Sequence, residues 1–281
     1  MIDATGFEEH RRMLFGIAYR MLGSVADAED VVQDAWLRCS QVSTPVDNPA
    51  GYLARTVTNL ALNRLTSATA TRERYVGPWL PEPLVTRPDI GEEVELAESV
   101  SLVVLESLSP LERAVFVLKE VFGFSFREIA GMLERGEAAV RQVGRRARAH
   151  VQARRPRYDA PAEVRRRVTD EFLAACLGGD LNRMMELLAP DVTAWSDGGG
   201  KVKAAIRPQH GAQKVAHFLA AVLAQPMDDP QVHAVDVNGR PGLLLTVAGR
   251  PDTVARAEVE NARITEIRII RNPDKLRHLL P

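Results

Sequence analysis

Apolar and polar residues alternate with the period of an α-helix in the first part of the chain. In the stretch "SVADAEDVVQDAWLRC", Ser24 is suited to cap a helix, and Asp27 follows as an acid in its first turn. One side of this helix is apolar and comprises Val31, Val32, Ala35, Trp36 and Cys39. The other side is acidic apart from one leucine and comprises Asp27, Asp30, Asp34 and Leu37. Taken alone, this acidic strip indicates an ordinary solvated helix surface.

A second amphipathic helix is predicted over "DNPAGYLARTVTNLALNRL", where Asn48 can cap the helix and Pro49 suits its first position. Its apolar face comprises Leu53, Val57, Leu60 and Ala61. Its opposite face comprises Arg55, Thr56, Asn59 and Asn63. Because asparagine is a poor helix former, this polar strip indicates either a binding surface or an ordinary solvated face.

The segment 125–151 predicts two helices joined by a short break that contains Gly136. Ser125 and Glu128 form a capping box at the start of the first helix, as Ser109 and Glu112 do for the helix before it. The inward side of the first helix comprises Ile129, Ala130 and Leu133. The inward side of the second comprises Val140, Val143, Ala147 and Val151.

The outer face of the second helix is basic and comprises Ala138, Arg141, Gln142, Arg145 and Arg148. Two short helices with a glycine-containing turn, the second of them basic, are typical of a DNA-binding helix-turn-helix. Arginine can bond guanine edges and glutamine can bond adenine edges, whereas arginines directed at phosphates give affinity without sequence information. The alternative is an ordinary helical hairpin with a solvated, arginine-rich face.

After residue 157 the pattern predicts a small α+β domain. Helical stretches at about 162–177, 181–188 and 211–224 precede four short alternating runs that indicate antiparallel strands. The runs are "QVHAVDV", "GLLLTVA", "TVARAEVE" and "RITEIRII", and turn signals at Asn238–Gly239 and Glu260–Asn261 separate them.

The connector at 71–97 contains four prolines, Pro78, Pro81, Pro83 and Pro88, so neither a helix nor a central strand is predicted there. Trp79 lies among these prolines. Since a disordered linker has no use for a tryptophan, we expect an ordered, extended linker that Trp79 anchors.

Composition and charge narrow the choice of function. The 281 residues suggest two or three domains. The net charge of −1 argues only weakly against nucleic acid as a partner, because it describes the chain as a whole and not any one surface. Charge is clustered locally, with seven arginines and no acid in 141–157, and five acids and no base in 89–98. Two isolated cysteines indicate a reducing cytoplasm, and neither a metal nor another cofactor is predicted. No signal peptide or membrane span is predicted.

The stretches "DAEDVVQDAWLR" and "YLARTVTNLALNRL", followed by the helix-turn-helix, resemble the extracytoplasmic-function (ECF) sigma factors in order and spacing. The resemblance implies that the first helix docks the clamp helices of the largest subunit of RNA polymerase core, through Asp30, Gln33, Asp34 and Leu37. It implies that Arg55, Asn59 and Asn63 bind the melted −10 promoter element. It implies that the −35 element is bound by Arg141, Gln142, Arg145 and Arg148. One departure is the turn "LERGE", where many relatives have leucine-glycine-aliphatic-serine, so that glycine is displaced here.

"WLPEP", "DGGGK" and "NPDKL" resemble the subgroup of these sigma factors that carries a C-terminal SnoaL-like domain. The resemblance implies a multidomain chain, with two all-α sigma domains, a helical bundle at 5–70 and a helix-turn-helix domain at 98–155. A linker at 71–97 and a cone-shaped α+β domain at 162–281 complete it. We expect the linker to dock on the C-terminal domain and to set sigma activity. The residues expected at this contact are Trp79, Pro81, Glu82, Asp197, Lys201, Asn272, Asp274 and Lys275.

The alternative function is a DNA-binding module fused to a small-molecule-binding or polyketide-cyclase-like enzyme domain. Asp197, His210 and His217 could supply acid–base chemistry, but Asp197 precedes three glycines and there suits a tight turn. Because fold alone does not imply function, no catalytic residue is predicted. A small-molecule ligand in the C-terminal domain remains a second expectation. The acidic helix favours the sigma factor, since a simple DNA-binding regulator does not need it.

Overall fold

The computed structural model of the protein describes residues 2–42, 44–72, 75–86, 102–154 and 160–279. The chain divides into two compact units. The first unit comprises Met1–Arg74 and Ser99–Arg155, and the second comprises Tyr75–Glu98 and Pro156–Pro281. The two predicted sigma domains therefore lie in one compact unit, and the linker from Tyr75 onward belongs to the same unit as the C-terminal domain.

The described part of the first unit is helical. Its helices are α1 (Ala4–Leu22), α2 (Val25–Ser40), α3 (Pro49–Arg72), α4 (Leu102–Glu106), α5 (Pro110–Phe116), α6 (Phe126–Met132) and α7 (Glu137–Arg154). A π-helical turn, Val117–Val121, continues α5. The predicted cap at Ser24 is confirmed by a 3.2 Å hydrogen bond from the Asp27 amide, and both capping boxes are present.

The buried sides of the helices agree with the predicted apolar sides. The apolar face of α3, Leu53, Val57, Leu60 and Ala61, is buried as predicted. In α2, Trp36 is only half-buried and lies 5.1 Å from the Phe7 ring, between ring centroids. The four predicted inward residues of α7 are buried. In α6, Met132 is buried in place of Leu133, because the helix ends at Met132 and Leu133 is its C-cap.

Two buried arginines join the two parts of this unit, the three helices α1 to α3 and the helix-turn-helix part α4 to α7. Arg113 of α5 donates hydrogen bonds to the carbonyls of Met21 in α1, at 2.6 Å, and of Leu105 in α4, at 2.8 Å. The Arg20 guanidinium lies 5.8 Å from the centre of the Phe122 ring. Burial lowers the pKa of Arg20 from its ordinary value to about 10. Since a buried guanidinium needs such partners, these contacts hold the two helical parts together.

The second unit is an α+β domain. Its helices are α8 (Ala162–Gly178), α9 (Leu181–Leu187) and α10 (Ala212–Leu223), and a 3₁₀ helix spans Pro273–Leu279. The strands are β1 (Val85–Thr86), β2 (Leu188–Asp197), β3 (Gln209–His210), β4 (Pro230–Val237), β5 (Arg240–Val247), β6 (Arg250–Glu260) and β7 (Arg263–Ile270).

These strands form a single sheet with the order β1-β4-β5-β6-β7-β2-β3. Apolar residues of α8, α9 and α10 pack with one set of sheet residues into the main core, which includes Phe172, Val215 and Ile264. A smaller core contains Leu80 of the linker together with Val235 and Leu276. The sheet therefore has packing on both faces.

The predicted antiparallel run of four strands, β4 to β7, is confirmed, and two pairings that were not predicted extend the sheet. Strand β2 lies parallel to β7, and β1 comes from the linker and pairs with β4. The predicted turn at Asn238–Gly239 is confirmed, since both residues have positive φ and join β4 to β5. In the last hairpin the positive-φ residues are Asn261 and Ala262, one position later than predicted.

Candidate nucleic-acid interface and linker clasp

The exposed face of α2 presents the four residues predicted to bind the polymerase core, Asp30, Gln33, Asp34 and Leu37. Leu37 is 58% exposed, so a large apolar side chain lies at the surface among these polar residues. Arg64 of α3 donates hydrogen bonds to Asp30, at 2.7 Å, and to Asp27, at 2.9 Å. The arginine therefore fixes α2 against α3 and neutralises part of the acidic face.

The polar face of α3 meets the turn between α6 and α7. The Arg55 guanidinium pairs with the Glu134 carboxylate, and the Asn59 amide donates a 3.4 Å hydrogen bond to the Met132 carbonyl. Asn63 lies further along the helix and is exposed. Two of the three residues predicted to bind the −10 element thus contact the helix-turn-helix.

The four predicted −35 residues occupy two positions around α7. At 100° per residue, Gln142 and Arg145 point away from the buried side of the helix, whereas Arg141 and Arg148 lie on one flank. The Arg148 guanidinium bonds Glu120 at 2.6 Å. Arg141 bonds Glu137 and lies 5.3 Å from the centre of the Phe126 ring. Gln142 and Arg145 are therefore the residues best placed to enter a groove.

In the second unit, the linker is fastened to the C-terminal domain around the carboxylate of Asp197, which is fully buried. One carboxylate oxygen accepts hydrogen bonds from the Tyr75 hydroxyl, at 2.6 Å, and from the Gly199 amide, at 3.1 Å. The other accepts from the Leu80 amide and from the Lys275 ammonium, both at 2.8 Å. Asp197 therefore joins the linker to "DGGGK" and "NPDKL". We call this set of contacts the linker clasp.

Lys275 is the cationic centre of the linker clasp and is 5% exposed. Its ammonium lies 3.9 Å from the centre of the Trp79 ring and 4.9 Å from that of Tyr75, and it also donates to the Leu80 carbonyl. A buried ammonium is stabilised by such aromatic faces and by the Asp197 carboxylate. The Trp79 ring thus packs against the ammonium group of a lysine of the C-terminal domain.

Further contacts surround this centre. The Asn272 amide donates to the Tyr75 hydroxyl at 2.7 Å, and Lys201 pairs with Asp274. The hydrogen bond from Lys201 is the main cause that lowers the pKa of Asp274. Pro81 is buried and Glu82 is half-buried.

The last part of the described linker is held by its backbone. The backbone N–H of Asn238 donates to the Leu84 carbonyl at 2.8 Å, and β1 follows directly as an edge strand of the sheet. His278 bonds the Pro83 carbonyl at 2.7 Å. An extended segment with few amide donors can attach to a sheet edge in this way.

A tight turn explains the glycines of "DGGGK". Gly199 has a φ of +59° and Gly200 a φ of +71°, which side chains rarely tolerate. A Cβ atom at Gly199 would also collide with the Asn272 side chain. The turn therefore brings the loop close enough for Asn272 to reach Tyr75.

The acid–base candidates lie in separate local contacts. His210 bonds Thr193 at 3.1 Å, and His217 bonds the Gln213 carbonyl in its own helix at 2.7 Å. The Asp197 carboxylate is already occupied by the linker clasp. This arrangement gives no support to an enzyme site built from these three residues.

Three residues that make the contacts described above are not among those predicted from the sequence. Tyr75 carries a signal in retrospect, since a second aromatic residue lies four positions before Trp79. Glu134 follows Leu133 directly, at the position where many ECF sigma factors have glycine. Arg64 carries no signal that distinguishes it from other helical arginines.

Within the described ranges, no helix is long and apolar enough to span a membrane. The same ranges contain no group of three or more His, Cys, Asp or Glu side chains placed to hold a metal ion.

Comparison with known proteins gives matches over nearly the whole chain. Two family descriptions match, "Sigma-70 region 2" over residues 7–71 and "Sigma-70, region 4" over residues 102–151. The chain is 39% identical to the ECF RNA polymerase sigma factor SigJ of Mycobacterium tuberculosis strain H37Rv over 229 residues, or 79% of this chain and 73% of SigJ. It is 30% identical to the probable ECF sigma factor SigI of strain CDC 1551 over 97% of this chain and 94% of SigI. The crystal structure of M. tuberculosis SigJ matches with a TM-score of 0.78 at 34% identity and covers 98% of both chains.

Proposed function

Because the chain belongs to the ECF sigma factors, we propose that its exposed helical faces divide the work of polymerase binding and promoter recognition. The predicted fold class, two helical sigma domains followed by an α+β domain, is confirmed. The relatives are transcription initiation factors and not enzymes. A sigma factor binds RNA polymerase core and promoter DNA, and the finer assignments below are ours.

The face of α2 is assigned to the clamp helices of the largest polymerase subunit. Leu37 offers an exposed apolar anchor beside Gln33 and Asp34, and such a combination suits a small interface with a polar rim. Asp30 is held by Arg64, so its carboxylate has a fixed position on this face. The support for this assignment is the exposure of all four side chains on one helix face.

The polar face of α3 is assigned to the −10 element and α7 to the −35 element. Asparagine side chains offer donors and acceptors to the edges of unpaired bases, and Arg55 offers a cation to phosphates. On α7, Gln142 and Arg145 are assigned to base edges. Arg141 and Arg148, on the flank, are assigned to the phosphate backbone.

These two assignments require the first unit to open. The −10 and −35 elements are separated by on the order of 80 Å of B-DNA. In the structure, however, Arg55 and Asn59 touch the turn of the helix-turn-helix itself. The two DNA-binding parts must therefore separate before both elements are bound.

The C-terminal domain is assigned a regulatory function, and the linker clasp is the observation that carries it. Residues 73–101 connect α3 to α4, and 75–86 of them lie on the C-terminal domain through Asp197, Lys275 and β1. A linker held in this way cannot freely extend. The domain would thus set how far the two DNA-binding parts separate.

The test is transcription in vitro with purified core polymerase and the protein's own upstream region as template. We expect promoter-specific transcripts from the full chain, and a changed yield from a chain truncated at Arg157 and from the variant Lys275→Met. Lys201→Met, which removes an exposed ammonium of the same surface, is the matched control and should change the yield less. No transcript and no core binding by any form would contradict the proposal.

A further inference from the structure

The turn that meets α3 has an unusual residue in its strained position. Helix α6 ends in a Schellman-type motif, in which the Arg135 amide bonds the Ala130 carbonyl at 3.0 Å. The residue that turns the chain is Glu134, with a φ of +53°. This left-handed position usually belongs to glycine, because a Cβ atom disfavours it. Gly136, two residues later, does not adopt positive φ. The glycine of this turn therefore does not occupy the left-handed position, and Glu134 does.

The side chain of Glu134 contacts α3, the helix that carries the residues assigned to the −10 element. Its carboxylate pairs with Arg55, and the neighbouring Met132 carbonyl accepts from Asn59. The Glu134 side chain is 74% exposed and that of Arg55 is 46% exposed, so neither is buried by the contact. Backbone strain that persists without a packing reason is a motive to look for function.

We propose that Glu134 is an autoinhibitory contact, in which its carboxylate occupies the place of a promoter phosphate on Arg55. Glycine at this position would remove the strain but would leave Arg55 open to DNA. Glutamate keeps the cation neutralised and holds the turn over Asn59 until the two DNA-binding parts separate. The inference rests on the assignment of Arg55 and Asn59 to DNA under the proposed function.

The size of the effect follows from the nature of the ion pair. An exposed pair contributes little, and its loss corresponds to a change of about two- to fivefold in an equilibrium constant. We therefore expect Glu134→Gln and Glu134→Gly to bind DNA two- to fivefold more tightly than the unchanged chain, by that same estimate. Glu134→Gly should also unfold at the same temperature or higher, since it relieves the strained turn.

The experiment measures binding of the full chain to a fluorescein-labelled single-stranded DNA of mixed sequence by anisotropy at low salt. The variants are Glu134→Gln, Glu134→Gly and Arg55→Ala, together with each Glu134 variant in the Arg55→Ala background. Glu186→Gln is the matched control, because it removes one exposed acid that pairs with Arg183 in the C-terminal domain. Thermal unfolding is followed in parallel.

Tighter binding by both Glu134 variants, with no gain in the Arg55→Ala background or from Glu186→Gln, would support the proposal. If Arg55→Ala weakens binding but the Glu134 variants do not tighten it, this inference is wrong and the assignment of Arg55 to DNA stands. If Arg55→Ala has no effect, both fail together. A gain from Glu134→Gly alone, or a gain that persists without Arg55, would assign the effect to the turn and overturn the charge mechanism.

Discussion

The ion pair between Lys275 and Asp197 illustrates, at the scale of single residues, why residues 75–86 of the linker are held in place. Both groups lie almost fully out of solvent, and transfer of an isolated charge into such an environment is very unfavourable. Each charge is therefore surrounded by partners, four hydrogen-bond donors on the Asp197 carboxylate and two aromatic rings around the Lys275 ammonium. Half of the donors come from the linker. The charges are satisfied only when the linker is in place.

Lys275→Met should destabilise the second unit by about 3–5 kcal/mol, because it leaves the Asp197 carboxylate buried without its cation. Lys201→Met removes the same group from an exposed pair and should cost at most about 1 kcal/mol. Urea unfolding followed by tryptophan fluorescence measures both, since Trp79 and Trp195 lie in this unit. Equal effects of the two substitutions would show that the buried pair does not hold the linker.

The Tyr75 hydroxyl should make stability depend on pH in the alkaline range. Burial, and then the hydrogen bond to Asp197, raise the pKa of Tyr75 above its ordinary value of 10.0. The folded chain thus keeps this proton where the unfolded chain loses it. The contribution to stability is complete below the ordinary pKa and is lost as the pH rises through the folded value.

Tyr75→Phe has no such proton, so its free energy of unfolding should decline less steeply than that of the unchanged chain above about pH 10. At neutral pH it should be less stable by about 1–3 kcal/mol, because Asp197 and Asn272 each lose a buried partner. Unfolding midpoints in urea across this pH range check both statements. Parallel pH curves for the two proteins would contradict the first.

At the scale of elements, the proposed function divides helix α7 into residues assigned to bases and residues assigned to phosphates. Gln142→Ala and Arg145→Ala should each change the preferred −35 sequence, with a loss of about 1–3 kcal/mol of discrimination at one position. Arg148→Ala should weaken binding to all sequences alike and reduce its salt dependence. Transcription from a set of promoters randomised in the −35 element, repeated at two salt concentrations, distinguishes the two outcomes. A change of preference caused by Arg148→Ala instead would mean that α7 is rotated relative to our assignment.

The elements that could be predicted from sequence are those with their own periodicity. Helices α2, α3 and α7 each bury one regular side, such as Val140, Val143 and Ala147, so their faces are visible in the chain. Strand β1 has only two residues and exists because the Asn238 turn presents an edge to it. The parallel pairing of β2 with β7 is likewise set by the tertiary fold. The contact of Glu134 with Arg55 joins residues far apart in the chain, so no local pattern in the sequence predicts it.

At the scale of the whole molecule, the linker contributes apolar surface to a core outside the sigma domains. Leu80 is buried together with Val235, Val254 and Leu276 of the C-terminal domain, and the Trp79 ring covers Lys275. The first unit has its own buried core and does not include these linker residues. A chain without the C-terminal domain would therefore keep its helices but expose the linker side chains.

Truncation at Arg157 should produce a helical protein that binds the hydrophobic dye ANS more strongly than the full chain does, because Leu80 and Trp79 lose their cover. Replacing both by serine in the truncated chain should return dye binding to the level of the full chain, while circular dichroism shows unchanged helix content. The same double substitution in the full chain is the control, and there it should increase dye binding by uncovering the smaller core. Strong dye binding by the truncated double variant would instead show that the sigma domains themselves need the C-terminal domain to fold. In that case the domain would act on the stability of the sigma helices, and its effect on transcription could not be assigned to the reach of the linker.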